Sequence, residues 1–523
     1  MNKVKQLGQY FTPDFLANFM VSLASVSNDS RVLEPSSGKG VFIDSLIKAG
    51  FLDIEAYEVD SSLSENKDRY INYQSFVSTE FSRKFNLVIG NPPYVRWKNL
   101  SKAQKDELAH NLLWTKYFNG LSDYLYIFIL KSVELLREGG ELIFITPEYW
   151  LSTMHAESLR NYLLENGCIS EIYQFKETPI FDNVASSVIV FKFIKNRKCG
   201  NKRISVYMYD SKKRLSATDL VDVTNNKSWT SFNISQFRAN EAWLLAPDNI
   251  KDELRTYEES CQTKTGFSVN SDSSYIQLGD IADIANGLVS GLDKAFKLPL
   301  EASLNLKEEQ ATLNVIKAKD VSSFNKLGIT KYIYLNEKDV SEESLAKDYP
   351  FFFNQLSQYK KLLIARYNYN RPINYWDWVL LRSINLFKKN TRKIFVPCKE
   401  RITNKSRLRF CLAEANEFPT QDITAIYLNP KVKENVYYIL ALLNSKITYD
   451  WVRYKGLIKG GVAEFSEKPL SIIPIKLINW DNNNEVVLYK KIVGLAKSAT
   501  LQKSNLEAID KLVYDLLDIK FKT

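Results

Sequence analysis

Val32-Leu33-Glu34-Pro35-Ser36-Ser37-Gly38-Lys39-Gly40 reads as the end of a strand, a tight glycine turn and, from Val41, the start of a helix. Val41, Phe42, Leu46 and Ile47 recur at helical spacing through Lys48, so the turn joins a strand to a helix with an apolar face. Glycines at such a joint let backbone N–H groups at the helix N-terminus come close to a ligand. The GxxxxGK[ST] spacing of a phosphate-binding loop is absent, and so is the full GxGxxG of dinucleotide binders. Read alone, the turn serves equally as ordinary chain reversal. Glu34, an acid at the strand end facing the turn, adds an acceptor for a cationic group such as an ammonium.

Outward from that turn the strand–helix rhythm repeats. Ile54-Glu55-Ala56-Tyr57-Glu58-Val59 reads as a second strand and Phe85-Asn86-Leu87-Val88-Ile89 as a buried one. Leu125–Leu136 carries helical spacing and is expected to stop at Gly139-Gly140, after which Glu141–Ile145 returns as a strand. The β-branched run Ser186–Ile194 is expected to close the sheet. Such alternation predicts an α/β unit with a parallel, doubly wound sheet. Glu58 lies near the end of the second strand, about twenty residues beyond the turn, where an acid can accept hydrogen bonds from both hydroxyls of a ribose. By itself it reads as a solvated strand-end acid. Turn and acid together point to a ligand that carries a nucleoside but no pyrophosphate.

Asn91-Pro92-Pro93-Tyr94 follows the buried strand. Each proline restricts the residue before it to extended geometry, so Asn91 and Pro92 are held rigid. A fixed Asn side-chain oxygen and the Pro92 carbonyl can then both accept hydrogen bonds from one planar amino group. Drawing on both N–H bonds makes that nitrogen more sp³-like and frees its lone pair for in-line attack on a methyl sulfonium. Little proton abstraction is needed before the transfer, so a poised histidine is dispensable. Tyr94 offers an aromatic face on which an extruded base can stack. The plain alternative is a Pro-Pro loop that merely ends a strand.

The 523 residues call for two or three units at roughly 100–200 residues per domain. Apolar residues make up 45%, charged residues 25% and aromatics 13%, which excludes disordered and collagen-like chains. Lys and Arg number 70 against 60 Asp and Glu, and the formal charge of +10 favours a polyanionic partner or a membrane surface. Cys168, Cys199, Cys261, Cys398 and Cys411 are scattered, with only His110 and His155 beside them, so neither a disulfide framework nor a metal site is expected. The first residues carry no apolar h-region, and no run of about eighteen apolar residues occurs; a reducing, cytoplasmic compartment without membrane association is expected. After about residue 195 the strands read shorter and less regular. Thr263–Asp272 is loop-like, and Val487–Leu517 is helical again. The boundary is placed near residue 240, with residues 1–240 as the first unit and 241–523 as a mixed α/β or α+β second unit.

At these residues the sequence resembles the TaqI-like, γ-class N6-adenine DNA methyltransferases of restriction–modification systems. Gly8-Gln9-Tyr10-Phe11-Thr12-Pro13 is similar to the family's motif X, placed ahead of the glycine turn as that class requires. Leu33–Gly40 resembles motif I, Glu58 motif II and Asn91–Tyr94 the catalytic motif IV. Leu125–Leu136 and Glu141–Glu148 resemble motifs V and VI, and Phe181–Val188 resembles motif VIII. The resemblance implies a Rossmann-like doubly wound mixed sheet of the class I S-adenosylmethionine-dependent methyltransferase type, followed by an α+β DNA-specificity domain. It implies S-adenosylmethionine as cofactor, its methionine end held by Thr12, Glu34, Ser36 and the backbone around Gly38, its ribose by Glu58 and its adenine by Phe76. Asn91 and Pro92 would hold the target amino group, with Tyr94 and Phe181 stacking on the flipped adenine. One departure stands out. The family usually has Asp before the motif III aromatic, whereas Tyr73-Gln74-Ser75-Phe76 puts Ser75 there; Ser75 or Gln74 is the substitute acceptor for the cofactor's adenine amino group.

Arg366–Arg409 is the most charge-biased stretch, with aromatics such as Tyr367, Tyr369, Trp376 and Phe387 interleaved. Arg366, Arg371, Lys389, Arg392, Lys393, Arg401 and Arg407 are the expected contacts to double-stranded DNA. Alone, such a run reads as a solvated basic face; the motifs upstream reverse that reading. Tyr275–Ile281, Asn286–Gly291, Leu442–Lys446 and Ile472–Ile475 resemble landmarks of a TaqI-type specificity domain. The resemblance thus implies a monomeric, stand-alone adenine-N6 methylase whose functional partner is a cognate restriction endonuclease. Other readings stay open at this point: methylation of RNA adenine, of a protein glutamine amide or of cytosine N4, or a DNA-binding module with an inactive fold. For a fused methylase–nuclease no convincing PD-(D/E)xK arrangement is found.

Overall fold

The computed structural model describes residues 10–63, 70–118, 120, 122–181, 187–196, 200, 202–211, 213–262, 274–335, 340–403, 405–459, 461–498 and 503–521. Gly8 and Gln9 of the N-terminal motif, Asp182–Ser186, and Thr263–Asp272 lie outside the described residues. Two compact units divide between Asp248 and Asn249.

In the first unit, nine strands among the described residues form one sheet: β1 (Val32–Glu34), β2 (Ile54–Tyr57), β3 (Ile71–Asn72), β4 (Phe85–Gly90), β5 (Leu136–Pro147), β6 (Cys168–Gln174), β7 (Val188–Ile194), β8 (Ile204–Tyr209) and β9 (Trp229–Ile234). Their order is β3-β2-β1-β4-β5-β7-β6-β8-β9. From β3 to β5 all neighbours are parallel, and the order reverses between β1 and β4. Ligands of open α/β sheets bind at such a reversal, beyond the carboxyl ends of the strands. The glycine turn after β1 and the Asn-Pro-Pro-Tyr segment after β4 both emerge there.

Side-chain alternation along the strands sorts the apolar residues between two cores. Leu33, Val88 and Phe144 pack with the helix Leu125–Leu135. Val32, Leu87, Ile89, Ile143 and Ile145 pack with the helices Asp14–Ser22 and Val41–Lys48. Both faces are covered, so the central strands read as continuous apolar runs.

Two expectations are corrected. Ser186–Ile194 does not close the sheet: β7 runs antiparallel between β5 and β6, and the sheet continues through β8 and β9, which the irregular texture after residue 195 had concealed. The helix expected over Leu125–Leu136 is present to within one residue, but Gly139-Gly140 does not stop it. It ends at Leu135, and β5 starts at Leu136 with the glycine pair inside it, where the pairing with β4 changes register. The Lys195 ammonium ends the helix, donating to the carbonyls of Val133, Glu134 and Leu136 at 2.8, 3.0 and 2.9 Å in place of a glycine cap.

The second unit is α+β. Ala282–Asn286, Ile423–Leu428, Lys393–Pro397 and Cys411–Ala413 pair in that order as an antiparallel sheet. Two small sheets accompany it, one built around Thr312–Ile316 and one around Val462–Glu464. The helical stretch expected at 487–517 is two helices, Asn483–Lys497 and Lys503–Leu516. No helix of the described residues is long and apolar enough to cross a membrane.

Candidate active site

Gly38 and Gly40 take φ of +53° and +77°, left-handed values that side chains disfavour. A Cβ at Gly38 would make only ordinary contact with the Phe11 ring, at 3.5 Å, so the backbone conformation is what calls for glycine there. The turn is held by backbone bonds from Ser37 N–H to the Tyr57 carbonyl at 2.8 Å and from Gly40 N–H to the Ser37 carbonyl at 2.7 Å. Gly38 N–H donates to one carboxylate oxygen of buried Glu58, and Asp60 N–H to the other, each at 2.8 Å. Two charge-assisted bonds thus fix Glu58 against the turn and leave about half its acceptor sites for a ligand's hydroxyls.

A cavity of about 970 Å³ is lined by Thr12, Glu34, Ser36, Gly38, Glu58, Ser75, Phe76 and Asn91, so it brings together every residue expected to hold the cofactor. At one end Phe76 packs on Phe128, ring centroids 5.3 Å apart. Lys131 stands over the Phe76 and Phe81 rings at 5.2 and 5.3 Å and donates to the carbonyls of Val77 and Thr79 at 2.8 and 2.6 Å, which pins the loop that carries Phe76. Burial pushes the Lys131 ammonium down to about 8. Ser75, at the position of the missing Asp, accepts at its Oγ from Val77 N–H at 3.2 Å and still lines the cavity beside Gln74. Phe128, Tyr124 and Glu107 also line it. Sequence reasoning missed these three because Phe128 and Tyr124 share the spacing of core residues and Glu107 sits in a polar helix. The donor set fits S-adenosylmethionine: two acids, hydroxyls at Thr12 and Ser36, and an aromatic wall. Ser37 Oγ, also lining the cavity, is buried without a hydrogen-bond partner among the described residues, as a polar atom awaiting a ligand would be.

At the other end Asn91 is fastened on both sides. Its Nδ2 donates to the Tyr10 carbonyl at 2.7 Å and to Thr12 Oγ1 at 3.1 Å, and its own carbonyl accepts from Ser36 Oγ at 3.1 Å. Thr12 and Ser36 therefore tie the cofactor turn to the tetrapeptide, a link that the sequence reading did not foresee. The Tyr94 hydroxyl donates to Asn91 Oδ1 and reaches the Ile145 carbonyl at 3.0 Å. Burial, with Tyr10 adding to it, pushes the Tyr94 phenol well above its ordinary range, so the hydroxyl stays protonated. Pro92 is buried and Pro93 lines the cavity. Phe181 is buried and meets Tyr10 at 6.1 Å.

The basic stretch of the second unit divides in a way the sequence reading did not anticipate. Lys393 is fully buried, donating to the Ala415 and Phe387 carbonyls at 2.9 and 3.4 Å among the rings of Phe395, Phe418 and Tyr427. Burial pushes it down to about 8. Arg407 forms a two-pronged pair with buried Asp510, and Arg366 donates to the carbonyls of Ser290, Asn374 and Asp377 over the Phe296 ring. The expectation of DNA contacts at Lys393, Arg407 and Arg366 is thereby corrected: their charges are spent on the protein's own carbonyls and carboxylate. Arg371 and Arg401 are exposed, as are Arg392, which pairs with Glu414 at 3.0 Å, and Lys389, near Asp283 at 3.6 Å.

The sheet order, the glycine turn braced by Glu58, and Asn-Pro-Pro-Tyr at the end of β4 together define a class I S-adenosylmethionine-dependent methyltransferase. Residues 25–181 match the Eco57I restriction-modification methylase family. The chain is 41% identical over 501 residues to the type II methyltransferase M.HindII of Haemophilus influenzae strain Rd, covering 95% of this chain and 94% of that one. It is 40% identical over 498 residues to M.HincII of Haemophilus influenzae, with the same shares covered. In fold it resembles the type IIL restriction-modification enzyme MmeI in complex with DNA, with a TM-score of 0.54 at 11% identity, covering 98% of this chain and 73% of that one. The chain belongs to the type II methyltransferases of restriction–modification systems.

Proposed function

We propose that this chain methylates adenine N6 at a specific site in double-stranded DNA, acting as a monomer in the bacterial cytoplasm and protecting that site from a cognate restriction endonuclease. The reading is carried by the orientation of Asn91. Its amide nitrogen is engaged by the Tyr10 carbonyl and Thr12, which leaves Oδ1 as the acceptor; that oxygen takes the Tyr94 hydroxyl on one lone pair and keeps the other for an exocyclic amino group. Asn91 Oδ1 and the Pro92 carbonyl accept the two N–H bonds of that amino group, raising the nucleophilicity of its nitrogen. S-adenosylmethionine, when bound, supplies an electrophilic methyl group. Thr12, Glu34, Ser36 and Gly38 hold its methionine end, Glu58 its ribose and Phe76 with Phe128 its adenine. Tyr94 and Phe181 stack on the flipped base, an arrangement that takes the adenine out of the duplex. The first unit performs the transfer and the second selects the site, with Arg371, Lys389, Arg392 and Arg401 facing phosphates or base edges. Expression in a methylation-free bacterial host, followed by long-read sequencing, tests this directly. N6-methyladenine confined to one short sequence is expected; marks on cytosine, or none, would overturn the proposal.

A further inference from the structure

Tyr10 lies next to the catalytic tetrapeptide and does two things at once. Its carbonyl accepts from Asn91 Nδ2 at 2.7 Å. Its ring lies nearly parallel to that of Tyr94, centroids 5.7 Å apart at 21°, and also meets Phe181 at 6.1 Å and 44°. Both separations are those of interacting aromatic pairs. A ring within stacking distance of both Tyr94 and Phe181 covers part of the surface of each. Tyr10 is half-buried there, whereas its neighbour Phe11 is 45% exposed.

We infer that Tyr10 is an internal stand-in for the target base: its ring occupies the stacking slot until a flipped base displaces it. The inference rests on reading Tyr94 and Phe181 as the rings that receive that base. A phenol ring and a purine are both flat and have apolar faces, so each covers the same surfaces in turn. The rings are thereby never bare to water, and capture of a base becomes an exchange of one stack for another. A base that stacks no better than Tyr10 is not retained. Because the carbonyl, and not the ring, orients Asn91, the ring is free to leave without releasing the amide.

The test uses a duplex carrying 2-aminopurine at the position that sequencing shows to be methylated, titrated with the full-length chain. Removing the ring in Y10A removes the competitor, so binding should tighten by about 3- to 10-fold, the range of one aromatic stack. Y10F keeps the ring and should match the wild type. Weaker or unchanged binding by Y10A would overturn the inference, weaker binding making the ring a wall of the slot. Wild-type protein with 3-fluorotyrosine at position 10 gives a second readout. Its fluorine resonance should move on adding the duplex, and a resonance that stays put overturns the inference as well. Y94A and F181A separate the two levels. If they abolish the 2-aminopurine signal while Y10A changes nothing, the stand-in alone falls. If they leave the signal intact, the stacking reading falls and takes the stand-in with it.

Discussion

At Asn91 and Glu58 the structure shows why particular atoms, and not merely residue types, matter. The Asn91 amide is held by its nitrogen, on the Tyr10 carbonyl and on Thr12, so truncating it removes an oriented acceptor while leaving the glycine turn with its own backbone bonds. Asn91→Ala should lower methyl transfer by about 10²-fold or more, while calorimetry finds cofactor affinity changed only a few-fold. Retained turnover would remove Asn91 from the reaction. Glu58 differs in that both of its oxygens accept backbone N–H bonds, from Gly38 and from Asp60. The amide of Glu58→Gln must point an NH₂ at one of those donors, so the nearly isosteric change is not conservative here. It should weaken cofactor binding by roughly tenfold or more, as should Glu58→Ala, given about 1–3 kcal/mol for a broken buried hydrogen bond. A Gln variant that binds the cofactor like the wild type would show that the carboxylate does not hold the turn.

Among the elements, those with local causes were legible in the sequence. Short, mostly apolar runs marked β1, β2 and β4, the glycines marked the turn, and the prolines marked the rigid tetrapeptide. What escaped depends on partners distant in the chain. Lys195 ends a helix some sixty residues earlier, β7 inserts between strands that precede it, and Tyr10 reaches Asn91 and Tyr94 across about 80 residues. Lys131 is of the same kind: a lysine inside an apolar helix whose charge is used by a loop about 50 residues away. Its ammonium is pushed by burial to about 8 from an ordinary value of 10.5. Between those values the unfolded chain binds more protons than the folded one, so the contribution of Lys131 to stability rises with pH across that window. Lys131→Met removes this titration. Urea unfolding should therefore show the wild type gaining on the variant between about pH 7.5 and about pH 9.5. A difference that stays constant with pH would mean that Lys131 titrates in the folded chain as it does in water.

For the whole molecule, the surplus of ten positive charges is not ten charges offered to a polyanion. In the stretch richest in Lys and Arg, Lys393 is enclosed by carbonyls and rings, Arg407 is spent on Asp510, and Arg366 bolts three carbonyls together. Charge run and charge surface are different things. A basic residue reads the same in sequence whether it faces a phosphate or a carbonyl of its own core. The exposed pair of Arg392 with Glu414 contributes little, because solvent screens it, so that guanidinium can exchange its partner for a phosphate. Arg371 is exposed as well. Each phosphate neutralised contributes about 0.9 to the slope of log affinity against log salt. The double variant Arg371→Ala/Arg392→Ala should flatten that slope by about 2 for a duplex carrying the methylated site. Lys393→Met should leave the slope unchanged and lower stability to urea by about 1–3 kcal/mol, because the Ala415 and Phe387 carbonyls lose their donor. If Lys393→Met flattens the slope and the double arginine variant does not, the division between buried and DNA-facing charge is wrong.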